Sequence, residues 1–438
     1  MRVALYKDVT TCCESGPNPL AGRSVKLLVF YERKNVMNET LEKNPQRWKV
    51  LFGGFACYTF DAFDLSLLAM SLALIIKDLN ISTQKGGLLS TITLLGIGLS
   101  SLFVGWMADN YGRRKTLLFS LTSFGLLTAA IYFAQSWAVI MVLRFLAGFG
   151  LGGLWAVLST YINETWAPNL RGKAASFTLS SFPVGSGFAS FFAGVLLPVY
   201  GWRVLFLTGA LAIIPALYMY FAVPESKEWE ERKRLDTKAD KEAKAPISRI
   251  FSPEFRKNTI IATAVSAFAF SGYWGASTWL PTLLVTEKGL DTATMAKFMV
   301  ILNVGMFIGM NVFGIVADKL GKKAALMITF LGLTITLPIY LHATQPNMLL
   351  MLGPVYAFFV SFTTIFGSYF PEMYPTEVRA TGTGFCFNFG RGLSAIAPFV
   401  LGVVAAKYSL TMGLGICSIF FFLSFLGMIF LPSGKVQK

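Results

Sequence analysis

Long uncharged stretches recur along nearly the whole chain. Residues 86–108, 116–143, 258–286 and 298–317 hold no Asp, Glu, Lys or Arg, and 324–371 adds only His342 to that pattern. A hydrocarbon layer about 30 Å thick is crossed by about 20 mostly apolar helical residues. Only 14% of the residues are charged, against about 25% in a soluble domain. The runs recur too often to be one soluble core. The chain is expected to be an all-α integral membrane protein.

Twelve spans are expected, at roughly 50–76, 86–108, 116–134, 137–163, 174–198, 203–223, 258–286, 295–317, 324–342, 348–371, 380–406 and 410–431. The net charge is +15, which in a soluble protein raises nucleic acid as a partner. Placement argues otherwise. If alternate loops share a side, 30 of the 38 lysines and arginines fall on the side of the N-terminus, the even-numbered loops and the C-terminus. The positive-inside rule makes that side cytoplasmic. The expected location is a plasma membrane, or the inner membrane of a bacterial cell, with no nucleic-acid partner.

The domains follow. Residues 1–49 form an N-terminal tail, 50–223 and 258–431 two six-helix halves around a central cavity, and 432–438 a C-terminal tail. The linker 224–257 carries ten basic and eight acidic residues and reads as partly helical and cytoplasmic. Residues 1–36 lack a signal-peptide layout, and Met37 is the expected initiator. Five cysteines show no CxxC spacing and no disulfide framework.

The halves repeat. Gly105, Asp109, Gly112, Arg113 and Arg114 in GWMADNYGRRK correspond to Gly314, Asp318, Gly321, Lys322 and Lys323 in GIVADKLGKKA, with Asp318 following Asp109 by 209 positions. A second pair keeps nearly that offset: Glu164 and Arg171 correspond to Glu372 and Arg379, each 208 positions on. Two motif pairs at one offset indicate duplication. Parallel halves related by an axis along the membrane normal are a known transporter plan.

The G-x-x-x-D-x-x-G-R-R-K loop resembles the signature of the major facilitator superfamily. So does RFLAGFGLGG, with Arg144, Gly148 and Gly150 in span four. The resemblance covers roughly residues 45–433. It implies alternating access, with the Asp, Glu, Arg and Lys clusters latching the cytoplasmic side in one state. Read from chemistry alone, Asp109 meets a helix end or a basic residue. Asp318 is flanked by lysines, which pair less well in a two-pronged way.

Four charges lie at bilayer depth: Asp61 and Asp64 in span one, Arg144 in span four and Arg391 in span eleven. A charge there costs several kcal/mol and needs a reason. Asp61 and Asp64 are three apart and share a helix face. Neighbouring carboxylates in low dielectric make a proton site, and a buried arginine holds a carboxylate by a two-pronged contact. The expected proton-coupling residues are Asp61 and Asp64. The expected substrate residues are Arg391, Arg144, Tyr273 and Trp274, the last two set among small residues in SGYWGAS. Ion bridges that merely hold helices together remain the alternative. Aromatics elsewhere mostly pack against helices or lipid.

The Asp-x-x-Asp of span one, PTEVRATG at 375–382 and Pro224–Glu225–Ser226 also look like the aromatic acid:proton symporters and their sialic-acid-porter-like relatives. The resemblance implies proton-coupled symport of a small organic acid by a monomer. Sugar porters usually end span twelve with a PETKG-like tag, where this chain reads LPSGKV. Organic-cation porters usually carry a large outer loop after span one, here about ten residues long. Ala62 stands where the aromatic-acid group often has Gly. A sugar or metabolite porter, a uniporter, a channel and a non-transporting sensor remain alternatives. No nucleophile–base constellation, metal spacing or Walker loop appears, so no enzyme activity, cofactor or metal is expected.

Overall fold

The computed structural model describes residues 46–167, 170–235, 247–375 and 378–433. The expectations for residues 1–36, and for the middle of the linker, lie outside these. Among the described residues every regular element is helical. In hydrocarbon a helix satisfies its own backbone groups, which is why this composition yields helices.

The spans are α1 Gln46–Asp78, α3 Arg113–Phe133, α4 Trp137–Thr165, α7 Arg256–Thr286, α8 Thr292–Leu320, α9 Lys322–His342, α10 Pro346–Met373, α11 Thr381–Lys407 and α12 Leu410–Ile429. The second, α2, is the bent helix Thr83–Tyr111. The stretch Arg171–Ala222, 52 residues, is long enough for two spans, α5 and α6. They join at Gly201, whose φ of 75° breaks the helix between the expected fifth and sixth spans. The twelve-span reading of the sequence thus holds. Outward-facing side chains such as Phe133 and Phe221, 76% and 78% exposed, suit a lipid surround and not water.

Each half is built the same way. In the first, α1 packs on α5, α2 on α4 and α3 on α6; in the second, α7 packs on α11, α8 on α10 and α9 on α12. The halves meet where α5 lies on α8, α2 on α11 and α1 on α7. The core runs between these contacts.

The helix ends repeat as well. On the face carrying the charged loops (the basic face), α2 turns into α3 at Gly112 and α8 into α9 at Gly321, with φ of 106° and 90°. Only glycine takes such angles without strain. On the far face, Asp78 at the end of α1 accepts hydrogen bonds from Trp202 Nε1 at 3.0 Å and Arg203 at 2.7 Å. Its counterpart 209 positions on, Glu287 at the end of α7, accepts from the backbone N–H groups of Leu410 and Thr411 and from the Thr411 hydroxyl. Both acids tie the first helix of a half to its last. Ser82 and Asp291, again 209 apart, cap α2 and α8. The Thr294 hydroxyl, with backbone N–H groups, holds the Asp291 carboxyl below its usual range.

Candidate functional site

The buried charges separate into two environments. Arg144 on α4 reaches Asp64 on α1, Nη1 to Oδ2 at 3.1 Å and Nη2 to Oδ1 at 3.4 Å. Their side chains are 0% and 1% exposed. Thr128 on α3 completes the cluster. Its hydroxyl donates to Asp64 Oδ1 and accepts from Arg144 Nη2. The Arg144 guanidinium also lies 5.5 Å from the Phe206 ring on α6. Four helices of the first half are thereby tied around one ion pair. Such a pair is costly to break, because the partner left behind is an uncompensated charge.

Asp61 lies one turn earlier on α1 and is 5% exposed. Its carboxylate makes no hydrogen bond or ion pair among the described residues. The charges acting on it are Arg391, across the boundary between halves, and Asp64. Fifteen residues from the start of α1 place it roughly 22 Å along the helix, near mid-depth. The Arg391 guanidinium lies 5.5 Å from the Trp274 ring, and its Nε is buried without a partner.

Aromatic rings connect the two sides. Tyr58 on α1 lies 5.7 Å from Phe182 on α5, Phe182 lies 6.3 Å from Tyr273 on α7, and Tyr273 lies 5.0 Å from Trp274. Three of these rings border a cavity of about 890 Å³, counting its open mouth, between the halves. Arg144, Phe182, Tyr273 and Trp274 line it, with Ser66, Ser186 and Asn303 among the polar groups and Leu65, Met70, Met299 and Met306 among the apolar ones. A mostly apolar cavity with a few polar groups is the usual form of a small-molecule site. Asp61, Asp64 and Arg391 do not line it; Asp64 adjoins it through Arg144 and Arg391 through Trp274.

The halves are sealed on the far face. Thr83 Oγ1 of α2 donates to the Gly402 carbonyl of α11 at 3.1 Å, and the Phe399 N–H donates to Thr91 Oγ1 at 3.2 Å. The helices touch backbone to backbone there. A Cβ on Gly87 would sit 2.4 Å from the Pro398 carbonyl oxygen, and one on Gly402 would sit 2.8 Å from that of Thr83.

The charged loops bond within their own halves. Arg113 is held by Asp109 at 3.0 Å and Glu164 at 2.9 Å. Glu225 accepts the backbone N–H groups of Arg113 and Arg114, capping α3. A Cβ at Gly112 would strike the Glu225 carboxylate. Arg114 donates to the carbonyls of Met219 and Tyr220. In the second half Lys322 pairs with Glu372 at 2.9 Å, and Lys323 donates to the carbonyls of Ile429 and Leu431. Tyr161 donates to the Pro224 carbonyl and Tyr369 to that of Pro432, again 208 positions apart. The first cluster is buried, at 3% and 4% exposure for Arg113 and Glu164, while Lys322 and Glu372 are 26% and 27% exposed.

Not every predicted loop residue joins these clusters. Asp318 is exposed and makes no ion pair among the described residues. Arg171 Nε is unpartnered. Arg379 donates to the Tyr374 carbonyl at 3.2 Å. Gly105 faces open space. Thr128 and Phe182 are site residues that the sequence did not single out, and the contacts of Glu225 were not foreseen. Glu225 alone carried a signal, as the acid of Pro224–Glu225–Ser226. His342 is exposed, with Nδ1 against the Pro338 carbonyl. Among the described residues no cluster of His, Cys, Asp or Glu fits a metal.

Comparisons with known proteins identify the family and the fold. A profile described as Major Facilitator Superfamily matches residues 54–398. The cis,cis-muconate transport protein of Acinetobacter baylyi is 31% identical over 380 residues, covering 86% of this chain and 92% of that one. The sialic acid transporter of Escherichia coli is 29% identical, covering 86% and 92%. The niacin transporter of Acinetobacter baylyi is 26% identical, covering 78% and 84%. Among solved structures, the inward-open xylose transporter from E. coli superposes with a TM-score of 0.70 at 18% identity, covering 90% of this chain and 98% of that chain. With twelve spans, two repeated halves and both charged-loop clusters in place, the chain is a membrane transporter, not an enzyme, and belongs to the Major Facilitator Superfamily.

Proposed function

We propose that the chain imports a small organic acid together with a proton, by alternating access. The observation that carries this is Asp61, a buried carboxylate with no bonded partner, set across the half–half boundary from Arg391, a cation equally without one. Asp64 is already committed to Arg144 and Thr128. The two acids of span one therefore divide the work. Asp64 stays paired with Arg144, and Asp61 takes and releases the proton. The other groups facing Asp61 are Tyr58 on its own helix and Arg391 on α11.

The coupling follows from charge balance. An ionised Asp61 occupies the field of Arg391. A protonated Asp61 leaves that guanidinium for a substrate carboxylate, a charge-assisted contact stronger than a neutral hydrogen bond. Proton and anion then enter together. The relatives named for muconate, sialic acid and niacin, all organic acids, support this cargo class.

In this reading the basic face and both chain ends are cytoplasmic, and the membrane is the plasma membrane, the inner one in a bacterium. The far-face seal makes the conformation inward-facing. The loop clusters around Asp109 and Lys322, with Asp318, Arg171 and Arg379 free to join them, form the cytoplasmic gate that pairs across the halves in the other state. One chain supplies both halves and the whole site, so the working unit is a monomer.

The test is uptake into proteoliposomes of a panel of organic acids, with and without an inward proton gradient. Saturable uptake that follows the gradient is expected. Saturable uptake indifferent to the gradient would establish a uniporter instead, and binding without flux a sensor.

A further inference from the structure

We propose that the indole N–H of Trp274 and the guanidinium of Arg391 grip one substrate carboxylate together, so that Trp274 is a specificity-determining donor and not a packing residue. This rests on the organic-acid reading of the same site.

Four other tryptophans donate their N–H groups to acceptors. Trp279 donates to the Pro398 carbonyl, Trp202 to Asp78, Trp137 to the Lys85 carbonyl and Trp229 to the Asp109 carbonyl. Trp274 is 7% exposed and lines the cavity, yet its Nε1 is buried without a partner. A buried donor left unpaired is costly, and native interiors rarely tolerate one. Arg391 Nε is in the same condition, and its guanidinium lies 5.5 Å from the Trp274 ring. Trp166 Nε1 is also unpartnered, but it belongs to the loop after α4, beside Arg47 and away from the cavity.

The two donors are held in place. Tyr273 stands edge-on to Trp274 at 5.0 Å and to Phe362 at 6.3 Å, which fixes the indole. Helices α7 and α11, which carry Trp274 and Arg391, pack directly on each other. Both donors therefore belong to one half and move as one body. The acceptor that suits both best offers two oxygens on one centre, about 2.9 Å from each donor, and carries negative charge. A carboxylate does so. An amide offers one oxygen and sets an N–H donor against two donors. The grip is thus selective for the acid over its amide.

The experiment uses purified full-length protein and three probe pairs: benzoate and benzamide, nicotinate and nicotinamide, and cis,cis-muconate and its diamide. Binding is read by calorimetry, and unfolding of the unliganded protein by a thermal scan. Wild type is expected to bind an acid of the panel in preference to its amide. Trp274→Phe, which keeps the ring and deletes the N–H, should raise the Kd for that acid about ten- to a hundredfold, the usual size for a hydrogen bond to a charged group. The Tm of the unliganded variant should hold or rise, because an unpaired buried donor has gone. A purely structural role predicts the opposite, an unchanged Kd with a lower Tm. Arg391→Lys should weaken the same acid, and the double variant should lose less than the product of the two single losses. Wild-type affinity in Trp274→Phe overturns the shared grip and leaves the organic-acid reading standing. A wild type that binds no acid of the panel overturns both.

Discussion

Arg144 and Asp64 face each other at 3.1 Å with neither side chain in contact with solvent. The pair joins α4 to α1 and recruits Thr128 from α3. Removing one partner leaves a buried charge uncompensated, at a cost of about 3–5 kcal/mol. Asp64→Asn and Arg144→Met are each predicted to lower the Tm in detergent sharply and to abolish uptake. Combining Asp64→Leu with Arg144→Met should restore part of the stability without restoring uptake. An unchanged Tm in Asp64→Asn contradicts this role.

Asp61 predicts a different failure. Its carboxylate has no bonded partner, so Asp61→Asn breaks no ion pair and should leave the stability within about 1 kcal/mol of wild type. The variant should exchange labelled substrate across the membrane but not concentrate it. Counterflow and gradient-driven uptake, measured side by side, separate these. Gradient-driven accumulation by Asp61→Asn would sink the proton role.

The far-face seal is steric. A methyl group on Gly87 or Gly402 has no room while α2 and α11 are closed. Overpacking of this kind costs about 1–3 kcal/mol, and only in the sealed state. That shifts a two-state balance roughly 5- to 150-fold. Gly87→Ala and Gly402→Ala are predicted to favour the outward-open state and to slow uptake while preserving binding from outside. Spin-label distances between the far ends of α2 and α11 should lengthen. Distances and rates equal to wild type would show that the contact gates nothing.

Glu225 caps α3 with its carboxylate on two backbone N–H groups. Glu225→Ala should cost about 1–2 kcal/mol and speed amide exchange at residues 113 and 114. Lys322→Met breaks a more exposed pair and should cost less than about 1 kcal/mol. Equal costs would mean that the two halves are not unequally braced.

The spans and the duplication were legible because apolar length and charged-loop spacing are local properties of a chain. The division between Asp61 and Asp64 was not. Three residues on a helix leave the side chains about 60° apart. That is close enough to share a face in a sequence reading, yet far enough to meet Arg144 in one case and look toward Arg391 in the other. Thr128 was hidden because a threonine in an apolar run carries no mark of what it bonds. Gly87 and Gly402 were hidden among 40 glycines, since only the approach of another helix gives them meaning. The second tie, from Glu287 to Leu410 and Thr411, was hidden for a further reason. Its acceptor is a side chain, but its donors are mainly backbone, and backbone groups leave no trace in sequence.

In the proposed cycle one proton, carried on Asp61, enters with each organic anion. The direct measurement is simultaneous recording of lumenal pH and labelled-acid uptake in proteoliposomes holding the wild type or Asp61→Asn. Lumenal acidification that tracks uptake is expected in the wild type, and exchange without acidification in the variant. Uptake without acidification in the wild type, or acidification that survives in Asp61→Asn, would contradict it.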